Sequence, residues 1–250
     1  MGHTIQSFRG PAQARNTGLE ALKRDMFKHS LDLARIEQKL RDTQRQFDRI
    51  NAVLTMHRDG MPDSVVEHML EGYAYVNGLL QAGTDILQLG QFHHLLELNH
   101  LVLCGSSREA RSEFSNHIVR TEEHFYDREA GDIGGLVDWY QRAKGKPVRK
   151  RAAGVYVRVL SRPQLFIEGN HRTGALIMSY ILGREGLPPF VLTPENAEAY
   201  FNPSTLVRDA HKYSMDELVK IPKLKRYFAR FLEDTEDDSL VVKTKSLETT

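Results

Sequence analysis

Residues 163–176 read PQLFIEGNHRTGAL. Two apolar stretches meet there at a short polar joint holding Gly169, Asn170 and Arg172. Beyond the joint, Leu176, Ile177, Met178, Tyr180, Ile181 and Leu182 are apolar on most faces of successive turns, the pattern of a helix at the centre of a bundle. That helix is predicted over 172–185, with Gly186, Pro188 and Pro189 ending it. Gly169 permits close approach of backbone to an anion, and the unpaired N–H groups where the helix begins aim partial positive charge at it. Arg172 adds a planar donor fork. The joint thus has the composition of a phosphate cradle. The plainer alternative is a capped turn, with Phe166 and Ile167 in the core and Glu168 complementing the helix dipole.

Outward from this joint the text is mostly helical. Residues 133–143 and 148–161 read as helices, and 64–105 reads as two helices interrupted at Gly72, Gly78, Gly83 and Gly90. Residues 196–200 and 204–211 read as short helices and 216–232 as a longer one, followed by a tail that frays from Asp234. The stretch SNHIVRTEEHFYDREAGD, 115–132, has little helical periodicity. Its β-favouring Ile118, Val119, Phe125 and Tyr126 predict a short exposed hairpin.

Near the N-terminus, apolar residues recur at Leu19, Leu22, Met26, Leu33, Ile36, Leu40, Phe47, Ile50 and Leu54, with His29 and Thr43 interrupting the seam. This three-four spacing predicts one long amphipathic helix whose stripe is covered by another helix of the chain or by a second subunit; the pattern suits both. HRDGMPD, 57–63, ends it, and Asp63 or Ser64 caps the next helix. The expected organisation is an all-α fold: a coiled-coil-like appendage over 1–60, a core domain over 64–232 and a polar tail over 233–250.

A chain of 250 residues with 40% hydrophobic and 27% charged residues has ample material for a buried core. Its formal net charge of +1 supplies no general field for nucleic acid. Cys104 is the single cysteine, which excludes an internal disulfide and suits a reducing compartment. No apolar run approaches the roughly 20 residues needed to span a bilayer. A cytoplasmic protein without a membrane partner is the expectation.

The segment QLFIEGNHRTGA resembles the signature loop of the Fic/Doc (Fido) family, whose pattern is H-P-F-x-[D/E]-G-N-G-R-x-x-R between two central helices. Phe166, Glu168, Gly169, Asn170 and Arg172 match it in register. The resemblance covers about 64–232. It implies an all-α Fic-type core with a small β-hairpin flap, ATP or another nucleotide held with Mg²⁺, and adenylyl transfer to a protein hydroxyl. Carried over by position, it implies phosphate binding by Gly169, Asn170, His171 and Arg172, and Mg²⁺ binding by Glu168. The hairpin around 117–125 resembles the flap that holds a protein target by strand addition. EHMLEGYAYV resembles the family's inhibitory helix through Glu71 and Gly72, although Glu67 stands where that motif has serine or threonine.

Four positions depart from the family, of which Leu165 in place of proline is a mild change. Its histidine, the general base, is Gln164; an amide has no basic form near neutrality, and loss of a base costs roughly 10²–10⁴ in rate. The second arginine, which in the family grips the outer phosphates and pairs with the inhibitory glutamate, is Ala175. The second glycine of the pattern is His171, whose ring is either a phosphate donor, a substitute base or a plain surface histidine. The sequence therefore points to a Fic-type protein, a pseudoenzyme whose AMP transfer is lost or strongly reduced. The alternatives are an active transferase with a non-standard motif and a helical scaffold that oligomerises through its N-terminal helix.

Overall fold

The computed structural model describes residues 29–243. Among them, β1 (His29–Leu31) leads into α1 (Leu33–Arg45), α2 (Phe47–Val53), α3 (Asp63–Gln81) and α4 (His93–Cys104). The chain continues through α5 (Arg108–Glu113), α6 (Ser115–Tyr126), α7 (Ile133–Arg142), α8 (Val148–Leu160) and α9 (Asn170–Gly183). It ends with α10 (Ala197–Arg208), α11 (Met215–Leu218), α12 (Lys220–Asp234), a short 3-10 turn and β2 (Val241–Lys243). The fold is all-α, with one two-stranded antiparallel pairing that sets Ser30 opposite Val242.

At the centre stands α9, buried at every residue from Thr173 to Leu182. It packs on α8, α3 and α4, while α12 closes the far side of α8 through Phe228 and Phe231. The apolar run read from the sequence is thus the hub of the bundle, and each fully buried Leu or Ile in it contributes about 1.5–3 kcal/mol of transfer free energy. The helix follows the expected limits within two residues and stops at a turn where Gly186 takes φ +73°.

Residues 115–126 form helix α6, which corrects the expected hairpin flap. Thr121 and Phe125 lie one turn apart on the buried side, and the Phe125 ring stacks on Phe166 at 5.5 Å with 18° between planes. This tertiary contact outweighs the β preference of Ile118 and Val119. With no strand at 117–125, the strand edge expected to hold a protein target is absent from that segment.

The long N-terminal helix is also corrected. Its described part begins only at Leu33, after a strand, and breaks at Gln46; the expected seam positions Leu19, Leu22 and Met26 lie outside the described residues. Ile36, Leu40, Thr43, Phe47 and Ile50 are buried against the chain's own helices, and Thr43 Oγ1 donates both to Lys39 O and to Leu192 O, each at 2.9 Å. In the described part, the stripe that suited a second subunit is covered within the chain.

Smaller differences have equally local causes. Pro62, rather than Asp63 or Ser64, precedes α3 and makes no side-chain cap. The two short helices expected around 196–211 are one, which accommodates Pro203 inside it, and the helix expected over 216–232 is divided at Val219. The tail is held to Lys243: Leu240 is buried, Asp32 N donates to Leu240 O at 2.9 Å, and Asp237 pairs with Lys39 at 2.8 Å.

One glycine fixes how α7 sits on α8. A Cβ on Gly154 would lie 2.0 Å from Trp139 Cη2. That ring is flanked by the Arg158 guanidinium at 5.3 Å and the Lys225 ammonium at 4.6 Å, so it has little freedom to retreat. Overpacking of this kind costs about 1–3 kcal/mol, against which better helix propensity returns about 1 kcal/mol. Gly154→Ala is therefore expected to lower the urea midpoint by the equivalent of up to about 2 kcal/mol. An unchanged midpoint would show that the indole moves aside freely.

Candidate functional site

The joint between α8 and α9 folds back on both helices. Gln164 Nε2 donates to Leu160 O at 3.0 Å, Leu165 N donates to Val159 O at 3.1 Å, and His124 Nε2 on α6 meets the Gln164 carbonyl at 2.9 Å. Phe166 is buried against Phe125. Asn170, 5% exposed, clasps it from the first residue of α9: its Oδ1 accepts from Phe166 N at 3.0 Å and its Nδ2 donates to Phe166 O at 2.7 Å. The same Nδ2 lies 3.5 Å from Gln164 Oε1. Asn99 on α4 secures the other side, donating from Nδ2 to Glu168 O at 2.9 Å and to Thr173 Oγ1 at 3.0 Å.

Gly169 makes this geometry possible. It takes φ +74°, and a Cβ there would sit 3.0 Å from Asn99 Nδ2 and 3.3 Å from Val102 and Leu103 carbons. The backbone N–H groups of residues 167–172 meet no acceptor among the described residues; the first bonded amide is that of Thr173, to Gly169 O at 2.9 Å. Such a run of free donors at the start of a long buried helix is suited to an anion. Glu168 projects into solvent beside it. Arg172 does not project: its Nη1 donates to Val102 O at 2.5 Å, and burial lowers its pKa against the opposing charges of Glu168 and Asp59.

His171 faces elsewhere. It lines a cavity of about 290 Å³ with Arg58, Arg172, Ala175, Tyr73, Phe190, Tyr200 and other residues of α1 to α3 and α10. Its Nδ1 lies 3.4 Å from the Tyr156 hydroxyl, its Nε2 is buried without a partner, and its carbonyl accepts from Tyr200 OH at 3.1 Å. Burial, reinforced by Arg58 and Arg208, holds the imidazole neutral with a pKa of about 3. Ala175, where the resemblance has its second arginine, opens onto the same cavity.

The sequence-derived residues are therefore only partly brought together. Gln164, Glu168, Gly169 and Asn170 share the joint, Arg172 is tethered to α4, and His171 belongs to the cavity. Gly72 packs on Leu176, where a Cβ would meet Cδ1 at 2.4 Å. The neighbouring Glu71 makes no ion pair with Arg172 or His171; its Oε2 is buried and unpartnered, near His68 and Gly105. The sequence reading omitted Asn99, His124 and Arg58. Asn99 carried a signal, a lone amide within the apolar run of LELNHLVL, whereas Arg58 lay in an unremarkable turn. Among the described residues no three His, Cys, Asp or Glu side chains are grouped to hold a metal ion. A lone exposed carboxylate such as Glu168 suits Mg²⁺ when phosphate oxygens and water complete the shell.

No protein-family profile matches the chain, and no curated protein matches it. Among solved structures it is similar to Fic-1 from C. elegans, at 19% identity and a TM-score of 0.47, over 90% of this chain and 74% of that one. A second form of Fic-1 matches at 18% and 0.47, over 91% and 75%. A Fic-domain-containing signaling protein from Bacteroides thetaiotaomicron matches at 16% and 0.45, over 85% and 94%. No helix of the described residues is long and apolar enough to cross a membrane.

The buried imidazole makes stability depend on pH. Its pKa is about 3 in the folded chain against an ordinary 6.5, so the unfolded chain binds the extra proton between those values. Stability from this group is complete above about pH 6.5 and is lost as pH falls toward 3, at about 1.4 kcal/mol per unit. Between pH 7 and pH 5, urea unfolding should lose about 1–2 kcal/mol more in the natural protein than in His171→Gln. Equal losses would show that the ring is not held neutral.

Proposed function

We propose that the chain is a Fic-type protein that keeps a phosphate-binding loop at residues 167–172 but has lost most or all AMP transfer. The observation that carries this reading is the run of unbonded amides beside Gly169. Any helix leaves the amides of its first turn without intrahelical partners, and here the run extends back through the loop to residue 167. The loop also stands between two central helices, the frame in which the family pattern is read.

The chemistry follows from side chains. Gln164 occupies the base position, and its amide is spent on Leu160 O and on the contact with Asn170. It neither accepts a proton from a target hydroxyl nor turns freely to align one. His171 is no replacement, because a base with a pKa of about 3 has little affinity for the proton and its ring is turned toward the cavity. Ala175 leaves the outer phosphates without a second fork. What remains is binding: amide donors for one phosphate and Glu168 as the side chain placed to hold Mg²⁺. When bound, that ion neutralises phosphate charge.

Calorimetric titration with Mg·ADP and Mg·ATP tests this directly. The natural protein is expected to bind, and Gly169→Ala, forced into a left-handed conformation costing about 1–2 kcal/mol and crowded by Asn99, to bind at least about tenfold more weakly while retaining its helical circular dichroism. Label from α-labelled ATP should not enter lysate proteins, and Gln164→His should not restore transfer, because Ala175 and His171 remain. Absence of nucleotide binding by the natural protein would end the phosphate reading. Transfer without the substitution would end the claim of lost activity.

A further inference from the structure

The cavity behind Ala175 is a site of different character from the loop. Its lining includes Leu40, Phe47, Tyr73, Phe190 and Phe201 together with two arginines, Arg58 and Arg172. Asp59, also in the lining, acts with Glu168 on Arg172, so that guanidinium has its countercharges. Arg58 has none. It is half-buried, and its Nη2 donates to neutral acceptors alone: Phe201 O at 3.0 Å, Thr205 Oγ1 at 2.7 Å and Ser204 Oγ at 3.5 Å. Its Nε is buried without a partner, and no carboxylate among the described residues lies within salt-bridge distance. The nearby Arg208 guanidinium repels it.

The Arg58 guanidinium lies 5.2 Å from the centroid of the Phe201 ring, so a cation–π contact offsets part of the cost of its partial burial, but no carboxylate among the described residues neutralises it. His171 adds an independent sign at the same cavity, a deeply buried ring whose Nε2 has no hydrogen-bond partner. We infer that this cavity binds a small amphipathic carboxylate, its acid group paired with Arg58 and its apolar body lying among the rings of Phe47, Tyr73, Phe190 and Phe201. At about 290 Å³ the space lies at the lower edge of the roughly 300–1,000 Å³ typical of ligand pockets, which suits a fragment-sized acid. A polyphosphate is disfavoured, because its further charges would be pressed against Leu40, Val65 and Met69. The site stands apart from the amides of the loop and does not depend on their reading.

The test uses 4-phenylbutyrate as probe, with hexanoate and the uncharged 4-phenylbutanol beside it, by calorimetry and ligand-observed NMR on the full chain. Saturable binding of 4-phenylbutyrate is expected, with 4-phenylbutanol at least about tenfold weaker, the loss of one charge-assisted hydrogen bond. Stronger binding of 4-phenylbutyrate than of hexanoate marks an aromatic acid as the ligand, and the reverse an aliphatic one; both keep the shared chemistry. Arg58→Met should weaken the acid about tenfold and leave the alcohol unchanged. Because Arg58 also holds α10, Ala175→Leu serves as a second variant, filling the cavity without touching the cation and abolishing binding of both probes. Gly169→Ala, which disables the loop, should leave 4-phenylbutyrate binding intact. Equal affinity for acid and alcohol, undiminished binding to Ala175→Leu, or no binding at all overturns the inference.

Discussion

The structure depends on one constraint: α9 is buried on all sides from Thr173 to Leu182, so it can face a ligand only at its first turn and where Ala175 borders the cavity. A helix placed this way must have its starting amides either capped or presented. Asn170 does both tasks at once, closing the chain onto Phe166 through two hydrogen bonds while leaving the amides that follow Phe166 without acceptors. Asn99 supports the same turn from α4, and Gly169 supplies the left-handed conformation that lets the backbone pass. The loop is therefore braced by two buried amides, Asn170 using both ends of its side chain and Asn99 its Nδ2 alone, with Asn99 Oδ1 left buried and unpartnered.

That bracing explains why Gln164 is compatible with an ordered loop. A histidine at this point would need a ring nitrogen free to receive a proton, whereas the amide links α8 to the joint through Leu160 O. The Gln164 side chain is part of the framework of the joint. His171 has gone further: its ring sits among Tyr156, Arg58 and the cavity, in surroundings that keep it neutral. Gln164 and His171 thus stand at different places, one at the joint and one at the cavity.

Legibility in the sequence followed the strength of local patterning. The apolar run 176–182 and the glycine and prolines after it marked the central helix, and LELNHLVL and VYVRVL marked neighbours that the structure also buries. At 115–132 the local signal pointed the wrong way. Ile118 and Val119 favour strands, yet Phe125 gains more by stacking on Phe166 from a helix than an isolated hairpin gains in water. The seam from Leu33 to Leu54 was legible as a stripe, but its partner was not, because the same spacing suits a second subunit and the chain's own core.

By itself the sequence determined the all-α class, the central helix, the polar joint at its start and the untitratable side chain at position 164, since each is set by residue type or by periodicity within a few turns. Only the tertiary structure decided that Asn170 clasps Phe166, that Arg172 reaches back to Val102, that Glu71 stands away from the joint, and that Arg58 lies beside His171. Those facts rest on contacts between residues far apart in the chain. Side-chain direction at such contacts is settled by which helices pack against one another, and no local pattern encodes it.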